Sequence, residues 1–371
     1  MKIMLITDAW EPQVNGVVRT MRRVIDEATA MGHDWEIVSP TDGFWTVPLP
    51  TYPEIKLALF ARRRIEQRFH EYEPDAVHIV TEGTLGMAGR AMCIKLEHPF
   101  STAYHTRFPE YVAARFPIPV SWGYAFVRWF HRYSGKVMVP TPSMVAHLQS
   151  KGVTNTVAWG RGVDTSLFHP DKRRREGADD DPFKGLARPI FLNVGRVAVE
   201  KNLDAFLSAD LPGSKVVIGD GPYRADLEKA YPDAHFLGSM FGEDLATAYA
   251  SADVFVFPSL TDTFGLVVLE AMAAGIPVAA FDATGPRDVI PGSGAGEIAP
   301  DEKSLGEAAL ACLKLDRARC RTYAEGFSWR ACTEAFLENL QPLPAPERRR
   351  FWQRLRLRRR KRRDPLGAPS D

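Results

Sequence analysis

Apolar runs of four to six residues alternate with segments of helical period along this chain, and they do so in two successive series. Runs that short, each followed by a helix-length stretch, argue for βαβ units and parallel sheets. In the first series the spacing predicts strands at 3–7, 35–39, 76–80, 100–105, 137–140 and 156–159. Helices are expected at 18–31, ended by Gly32, around 58–72, and after 140, where Ser143 is a candidate cap. The second series predicts strands at 190–194, 215–218, 234–237, 254–258 and 277–281, with helices between them. Residues 172–181, highly charged and poor in apolar side chains, read as a surface linker. The expectation is an α/β protein of two doubly wound domains, 1–164 and 165–328, facing each other across a cleft. A last helix within 329–345 follows, then a basic tail at 346–371. In such sheets ligands bind beyond the carboxyl ends of the strands, so the loops after strands should carry the chemistry.

Charge sharpens the last boundary. The 371 residues hold 47 basic and 46 acidic side chains, a net of +1. Eleven of the basic residues and only three acidic ones lie in 346–371, a local +8 that leaves −7 on the rest. The four cysteines, Cys93, Cys312, Cys320 and Cys332, form no C-x-x-C pair. That excludes the usual structural zinc spacings and fits a reducing cytoplasm. The apolar stretch 265–281 is interrupted by Glu270, so no membrane-spanning helix is expected.

The densest chemistry lies at 258–278, where a strand ends at Pro258 and a loop carries Asp262 and Thr263. A helix then runs from about Gly265 to Ala274 and is stopped by Gly275. Asp262 or Thr263 could serve as its N-cap. Glu270 is harder to place in a solvated face, because Val267, Val268, Leu269, Ala271 and Met272 surround it. A carboxylate there needs a partner, such as a pair of ligand hydroxyls. The start of this helix offers free N–H groups to an anion. A second cluster, Asn193-Val-Gly195-Arg196-Val-Ala-Val-Glu200-Lys201-Asn202, sits between a strand and a helix that Asn202 would cap. Arg196 and Lys201 suit a phosphate clamp, although an exposed charge cluster is the other reading. Glycine loops at Gly219-Asp-Gly221-Pro222 and Asn15-Gly16-Val17 allow close backbone approach to a phosphate or sugar. Tyr104-His105-Thr106-Arg107 follows another strand of the first domain and would face the cleft.

Taken together these segments resemble the family 4 retaining glycosyltransferases. The specific match is two carboxylates eight residues apart within P-S-x-x-x-x-F-G-x-x-x-x-E-A-M-A-x-G-x-P-V, from Pro258 to Val278. Supporting matches are G-R-x-x-x-E-K-N at 195–202, G-D-G-P at 219–222 and G-V-D-x-x-x-F-x-P at 162–170. The resemblance covers roughly residues 1–341 and implies the GT-B fold of two Rossmann-like domains. Arg196 and Lys201 would then hold the donor diphosphate, and the backbone N–H groups of Phe264, Gly265 and Leu266 would add helix-end donors. Gly195 and Gly221 belong to the same donor side. Asp262 would bind sugar hydroxyls and Glu270 the ribose hydroxyls, while backbone near Met240 would meet the base. Gly16 would approach the diphosphate or acceptor, His105 the transferred sugar, and Asn15 and Arg107 the acceptor side. Neither cofactor nor divalent metal is implied, and the donor would be a UDP- or GDP-sugar. One position departs: Asp262 stands where the family usually has Glu, one methylene longer.

The tail from Glu347 to Arg363 mixes dense positive charge with Phe351, Trp352, Leu355 and Leu357. Arg348, Phe351, Trp352, Arg354, Leu355 and Arg358 are therefore expected to meet an anionic membrane surface, peripherally and from the cytoplasm. A solvated extension is the plain alternative, and no nucleic-acid-binding fold accompanies the charge. Trp122, Phe126, Trp129, Phe130 and Tyr133 make one aromatic helical face, read here as packing within the first domain. The functional expectation is a monomeric enzyme that glycosylates a diacylglycerol-type lipid. The alternatives are a GDP-mannose-dependent mannosyltransferase, and from other classes a nucleotide-sugar epimerase or a non-catalytic nucleotide-sugar binder.

Overall fold

In the computed structural model, which describes residues 1–13, 15–49, 52–115 and 118–363, each series forms one six-stranded sheet. The first domain contributes Lys2–Ile6 (β1), Asp34–Val38 (β2), a separate hairpin of Trp45–Leu49 (β3) and Tyr52–Leu59 (β4), then Ala76–Ile79 (β5), Ser101–Ala103 (β6), Val137–Val139 (β7) and Thr156–Ala158 (β8). The second contributes Ile190–Val194 (β9), Ser214–Ile218 (β10), His235–Gly238 (β11), Val254–Phe257 (β12), Val278–Phe281 (β13) and Gly296–Ala299 (β14). Strand orders are β2-β1-β5-β6-β7-β8 and β11-β10-β9-β12-β13-β14, and every pairing within these two sheets is parallel.

This topology explains the unbroken apolar character of the central strands. Helices cover both sheet faces, so successive side chains are buried alternately on each. Ile3 and Leu5 pack on one side of β1, and Met4 and Ile6 on the other. The winding reverses at β1, which lies between β2 and β5, and again at β9, which lies between β10 and β12. Loops leaving β1, β9 and β12 therefore meet at the crevices where such sheets bind ligands.

Three local expectations need correction. The helix placed at 58–72 begins only at Arg62, because residues 52–59 are committed to the antiparallel hairpin. Its alternation is interrupted by Pro48 and Pro53, which hides the strand period. A sixth strand of the second sheet, β14, was not anticipated from its mixed composition. The aromatic face expected to be internal is only partly so: Phe130 is buried and Phe126 partly buried on the core, while Trp122, Trp129 and Tyr133, the last just beyond the Val120–His131 helix, are exposed.

The chain end returns to the first domain. The Trp329–Asn339 helix lies against the Gly16–Ala30 helix, with Cys332 and Phe336 buried beside Leu5 and Met21. Trp159 Nε1 donates to the Cys332 carbonyl at 3.0 Å. Of the basic tail expected at 346–371, residues 364–371 lie outside the described residues, and the described part is not a free extension. It lies in a helix, Ala345–Arg363, whose Phe351, Trp352 and Leu355 are 5, 7 and 3% exposed against Ile65, Phe69, Leu96 and Phe100. Residues at i, i+1 and i+4 share one helical face, and that face is spent on the core. Arg348 pairs with Asp75, Arg354 with Glu97 at 2.9 Å, and Arg356 with Glu73 at 2.6 Å. The Arg358 side chain lies outside the described residues. No helix among the described residues is long and apolar enough to cross a membrane.

Candidate active site in the interdomain cleft

The loop leaving β12 and the loop leaving β9 are tied into a single site. Lys201 Nζ contacts both oxygens of Asp262, at 2.6 and 2.8 Å, with each side chain about a quarter exposed. Asn202 adopts a left-handed conformation and donates its amide to the Pro258 carbonyl at 3.3 Å, and Thr261 Oγ1 donates to the Glu200 carbonyl at 3.2 Å. Asn202 is thus a bridge between the loops and makes no side-chain capping bond to the following helix. Arg196 stands exposed on the same loop. The loop after β10 packs beneath. A Cβ on Gly221 would lie 2.2 Å from the Val197 carbonyl oxygen, and one on Gly219 1.8 Å from that of Gly195. Backbone contact within the protein is therefore the observed demand on Gly221. Gly195 instead faces open space, and Met240 is partly buried at the edge of the second domain's core.

Gly265 opens the Leu266–Ala273 helix with φ +80, a conformation that favours glycine. No side chain caps this helix start, and Phe264 is buried beside it. Five residues beyond Gly265, Glu270 is 3% exposed. One carboxylate oxygen accepts from the Tyr249 hydroxyl at 3.2 Å, and the other accepts from the Arg19 guanidinium of the first domain. Burial, with the Glu270 charge next, raises the Tyr249 pKa far above the usual tyrosine value, so that hydroxyl stays a donor. The partner expected for Glu270 is thus a protein cation together with a phenol. Arg19 and Tyr249 are site residues that the motif reading missed.

The first domain presents its own loops to this surface. Asn15 caps the Gly16–Ala30 helix, its Oδ1 accepting from the Val17 and Val18 N–H groups at 3.0 Å each, so its side chain serves the helix start rather than an acceptor. A Cβ on Gly16 would sit 3.9 Å from Leu266, at the domain contact. The His105 carbonyl accepts from Thr263 Oγ1 at 2.6 Å, placing that histidine beside the Asp262 loop. His105 Nδ1 lies 3.2 Å from Arg161, and its buried Nε2 has no hydrogen-bond partner among the described residues. Burial, then the Arg161 charge and His78, hold its pKa far below the usual histidine value. The imidazole is therefore neutral, packed against Arg161 and Trp159 within the first domain, and it is the backbone carbonyl of His105 that meets the Asp262 loop. Arg107 is engaged elsewhere, donating to Glu110 at 2.8 Å.

Further contacts hold the domains together around a cavity of about 360 Å³ lined by Arg19, Arg23, Asp164, Leu266, Glu270 and Trp329. On the first-domain side of the cavity, Arg23 pairs with Asp164 at 2.5 Å. Thr141, rather than the expected Ser143, caps the Pro142–Ser150 helix, its Oγ1 accepting from the Met144 N–H at 3.3 Å. Across the cleft, Asp288 accepts from the Ser143 N–H at 3.0 Å and from its hydroxyl. Among the described residues no group of three or more His, Cys, Asp or Glu side chains is placed to hold a metal ion.

Residues 14–167 match the family described as Glycosyltransferase Family 4, and residues 188–315 that described as Glycosyl transferases group 1. A GDP-mannose-dependent alpha-mannosyltransferase of Mycolicibacterium smegmatis is 33% identical over 315 residues, covering 78% of this chain and 82% of that one. The chain belongs to glycosyltransferase family 4. Within the family it is also similar to sulfoquinovosyl transferase SQD2 of Arabidopsis thaliana, at 34% identity over 78% of this chain, and it spans 61% of that protein's length. An alpha-monoglucosyldiacylglycerol synthase of Streptococcus pneumoniae is 29% identical over 76% of this chain and 71% of its own. In fold, this glycosyltransferase superposes on sucrose-phosphate synthase from Thermosynechococcus elongatus with TM-score 0.74, at 20% identity, covering 91 and 97% of the two chains.

Proposed function

We propose that this glycosyltransferase moves a sugar from a UDP- or GDP-sugar to a diacylglycerol-type lipid, retaining anomeric configuration and needing no divalent metal. The observation that carries the reading is the junction of Lys201 and Asp262 opposite His105, with buried Glu270 on the adjoining helix. Arg196 and Lys201 offer two cations where negative charge grows on a departing diphosphate, a task otherwise given to a metal. Donor entry would draw Lys201 from Asp262 toward phosphate and leave that carboxylate to the sugar hydroxyls. Neutral His105 would add no charge beside the sugar, and its Nε2, buried in the resting structure, would have to be uncovered to hydrogen-bond it. Glu270, already polarised by Tyr249, would take the ribose hydroxyls. The diacylglycerol acceptor follows the Streptococcus pneumoniae relative. The Mycolicibacterium smegmatis relative favours a second reading, transfer of mannose from GDP-mannose to a glycan or phospholipid precursor. Four free, buried cysteines support a reducing compartment, and we place the enzyme, as a monomer, at the cytoplasmic face of the membrane.

The test is a panel of UDP- and GDP-sugars incubated with total membrane lipid in excess chelator, with products identified by mass spectrometry. One glycolipid from one donor, formed at an undiminished rate, is the expected result. Transfer only to soluble glycans would overturn the lipid acceptor, loss of rate restored by magnesium would overturn the metal-free mechanism, and epimerised donor in the absence of lipid would reassign the reaction.

Arg19→Ala should raise the donor KM about ten-fold, equivalent to ~1.4 kcal/mol, with a smaller change in kcat. The substitution removes an interdomain contact and leaves the buried Glu270 carboxylate with Tyr249 alone. An unchanged KM would show that Arg19 takes no part in donor binding.

A further inference from the structure

The Val120–His131 helix has an outer face that no part of the described fold covers. Its inner face is complete, with Tyr124, Val127 and Phe130 buried. Trp122, Trp129 and Tyr133 are nonetheless 70, 44 and 53% exposed. Trp122 and Trp129, seven residues apart, fall within about 20° of each other on the helix. Arg128 is exposed on the same helix, and Arg132 and Tyr133 are exposed in the turn that follows its end. Exposed Ile118 and Val120 extend the apolar edge at the helix entry. Arg90 reaches over from the neighbouring Thr84–Leu96 helix and stacks 4.1 Å above Trp129 and 5.4 Å from Tyr133, while Arg132 stacks 4.5 Å from Tyr133. Trp129 and Tyr133 are thus flanked by cations at the surface.

Charge selects the occupant. Between residues 108 and 152 there are five Lys or Arg and a single acid, Glu110, and that acid is paired with Arg107. The docked Ala345–Arg363 helix packs on the same core cluster as Phe130 and turns Arg349 and Arg350 outward. Aromatic side chains flanked by basic ones match an interface with anionic headgroups, where Trp and Tyr settle and each basic residue contributes attraction. The face is also mechanically joined to the cleft. Gly123 lies against Pro109, at the start of the Phe108–Arg115 helix that follows His105 and Arg107, where a Cβ would meet the proline at 2.6 Å.

We propose that the enzyme docks on an anionic lipid bilayer through this face, with Trp122, Trp129 and Tyr133 entering the interface and Arg128 and Arg132 meeting headgroup phosphates. The assignment rests on the lipid-acceptor reading and moves the membrane contact from the chain end to the acceptor side of the first domain. The full-length protein is to be sedimented with vesicles of mixed phosphatidylglycerol and phosphatidylcholine, and with phosphatidylcholine alone. Arg128→Gln/Arg132→Gln should lose about thirty-fold in partitioning to the anionic vesicles, two residues at ~1 kcal/mol each. Trp122→Ser/Trp129→Ser should lose at least ~ten-fold. Both double variants should melt with the wild type and should transfer to detergent-dispersed diacylglycerol within about two-fold of its rate, since neither pair touches the cleft. Wild-type partitioning by either double variant would overturn the docking face. So would light scattering that shows a dimer dissolved by the Trp substitutions. Binding through this face by an enzyme that glycosylates only soluble acceptors would sustain the docking and overturn the lipid acceptor separately.

Discussion

Lys201→Ala should leave an enzyme that folds like the wild type and turns over on the order of 10²–10³-fold more slowly at saturating donor, a loss of roughly 2.7–4 kcal/mol in transition-state stabilisation. The two halves of that expectation have different physical origins. Lys201 and Asp262 are both about a quarter exposed, and an ion pair so open to solvent contributes only about 0–1 kcal/mol to stability. Its loss should therefore barely move the melting temperature. In the proposed transfer the same ammonium would face charge that develops on the leaving diphosphate, and a fixed cation at that point is worth far more than in the resting protein. Arg196→Ala should behave similarly, because it stands on the same loop as the second positive group. Thermal melts beside steady-state kinetics provide the measurement. Turnover near the wild-type rate in both variants would remove the clamp. Normal turnover in one alone would leave the other as the principal cation.

Asp262 warrants the parallel measurement because its length differs from the usual family residue. In this structure the shorter carboxylate lies against Lys201. A glutamate would carry the charge one methylene further into the cleft, so Asp262→Glu tests sugar choice more than catalytic competence.

The site was legible where local chemistry conflicts with local structure. A carboxylate at 270 amid five apolar neighbours cannot be explained by amphipathic patterning, and the fold does bury it. The glycine at 265 announces the helix start through its left-handed backbone. Arg19 carried no such signal, since on its own helix it is one of three arginines and its partner is 251 residues away. Tyr249 reads from sequence as an ordinary aromatic of an apolar helix, and only tertiary contact turns its hydroxyl to Glu270. The doubly wound sheets were legible because burial on both faces forces continuous apolar strands, whereas the β3–β4 hairpin lies outside that rule and is punctuated by prolines. The two aromatic helices exchanged roles for a related reason. Composition cannot say which face meets the core: 345–363 reads as a basic surface segment yet buries its rings, while 120–131 reads as core yet exposes Trp122 and Trp129.

That exchange has a large thermodynamic consequence at Trp352. Trp352→Ala should destabilise the first domain by about 3–5 kcal/mol, the range for removing a large buried aromatic. In a domain of this size the melting temperature should fall on the order of 10 °C. The indole packs 5.0 Å from Phe69 and 5.0 Å from Phe351, centroid to centroid, and Leu355 closes the same cluster. Its N–H is buried without a hydrogen-bond partner among the described residues, so the ring's stabilisation is that of apolar contact. Trp352→Phe keeps most of that contact, discards the unsatisfied donor and should cost far less. Leu357→Ala, at a side chain 60% exposed on the same helix, should stay within ~0.5 kcal/mol of wild type. If Trp352→Ala melts with the wild type, the helix is not docked as described. Removing residues 346–371 should then lower lipid binding without disturbing the fold. If the large loss is found, that truncation cannot serve as a membrane-binding control, because it strips Phe351, Trp352 and Leu355 from the core before it removes any charge from a membrane surface.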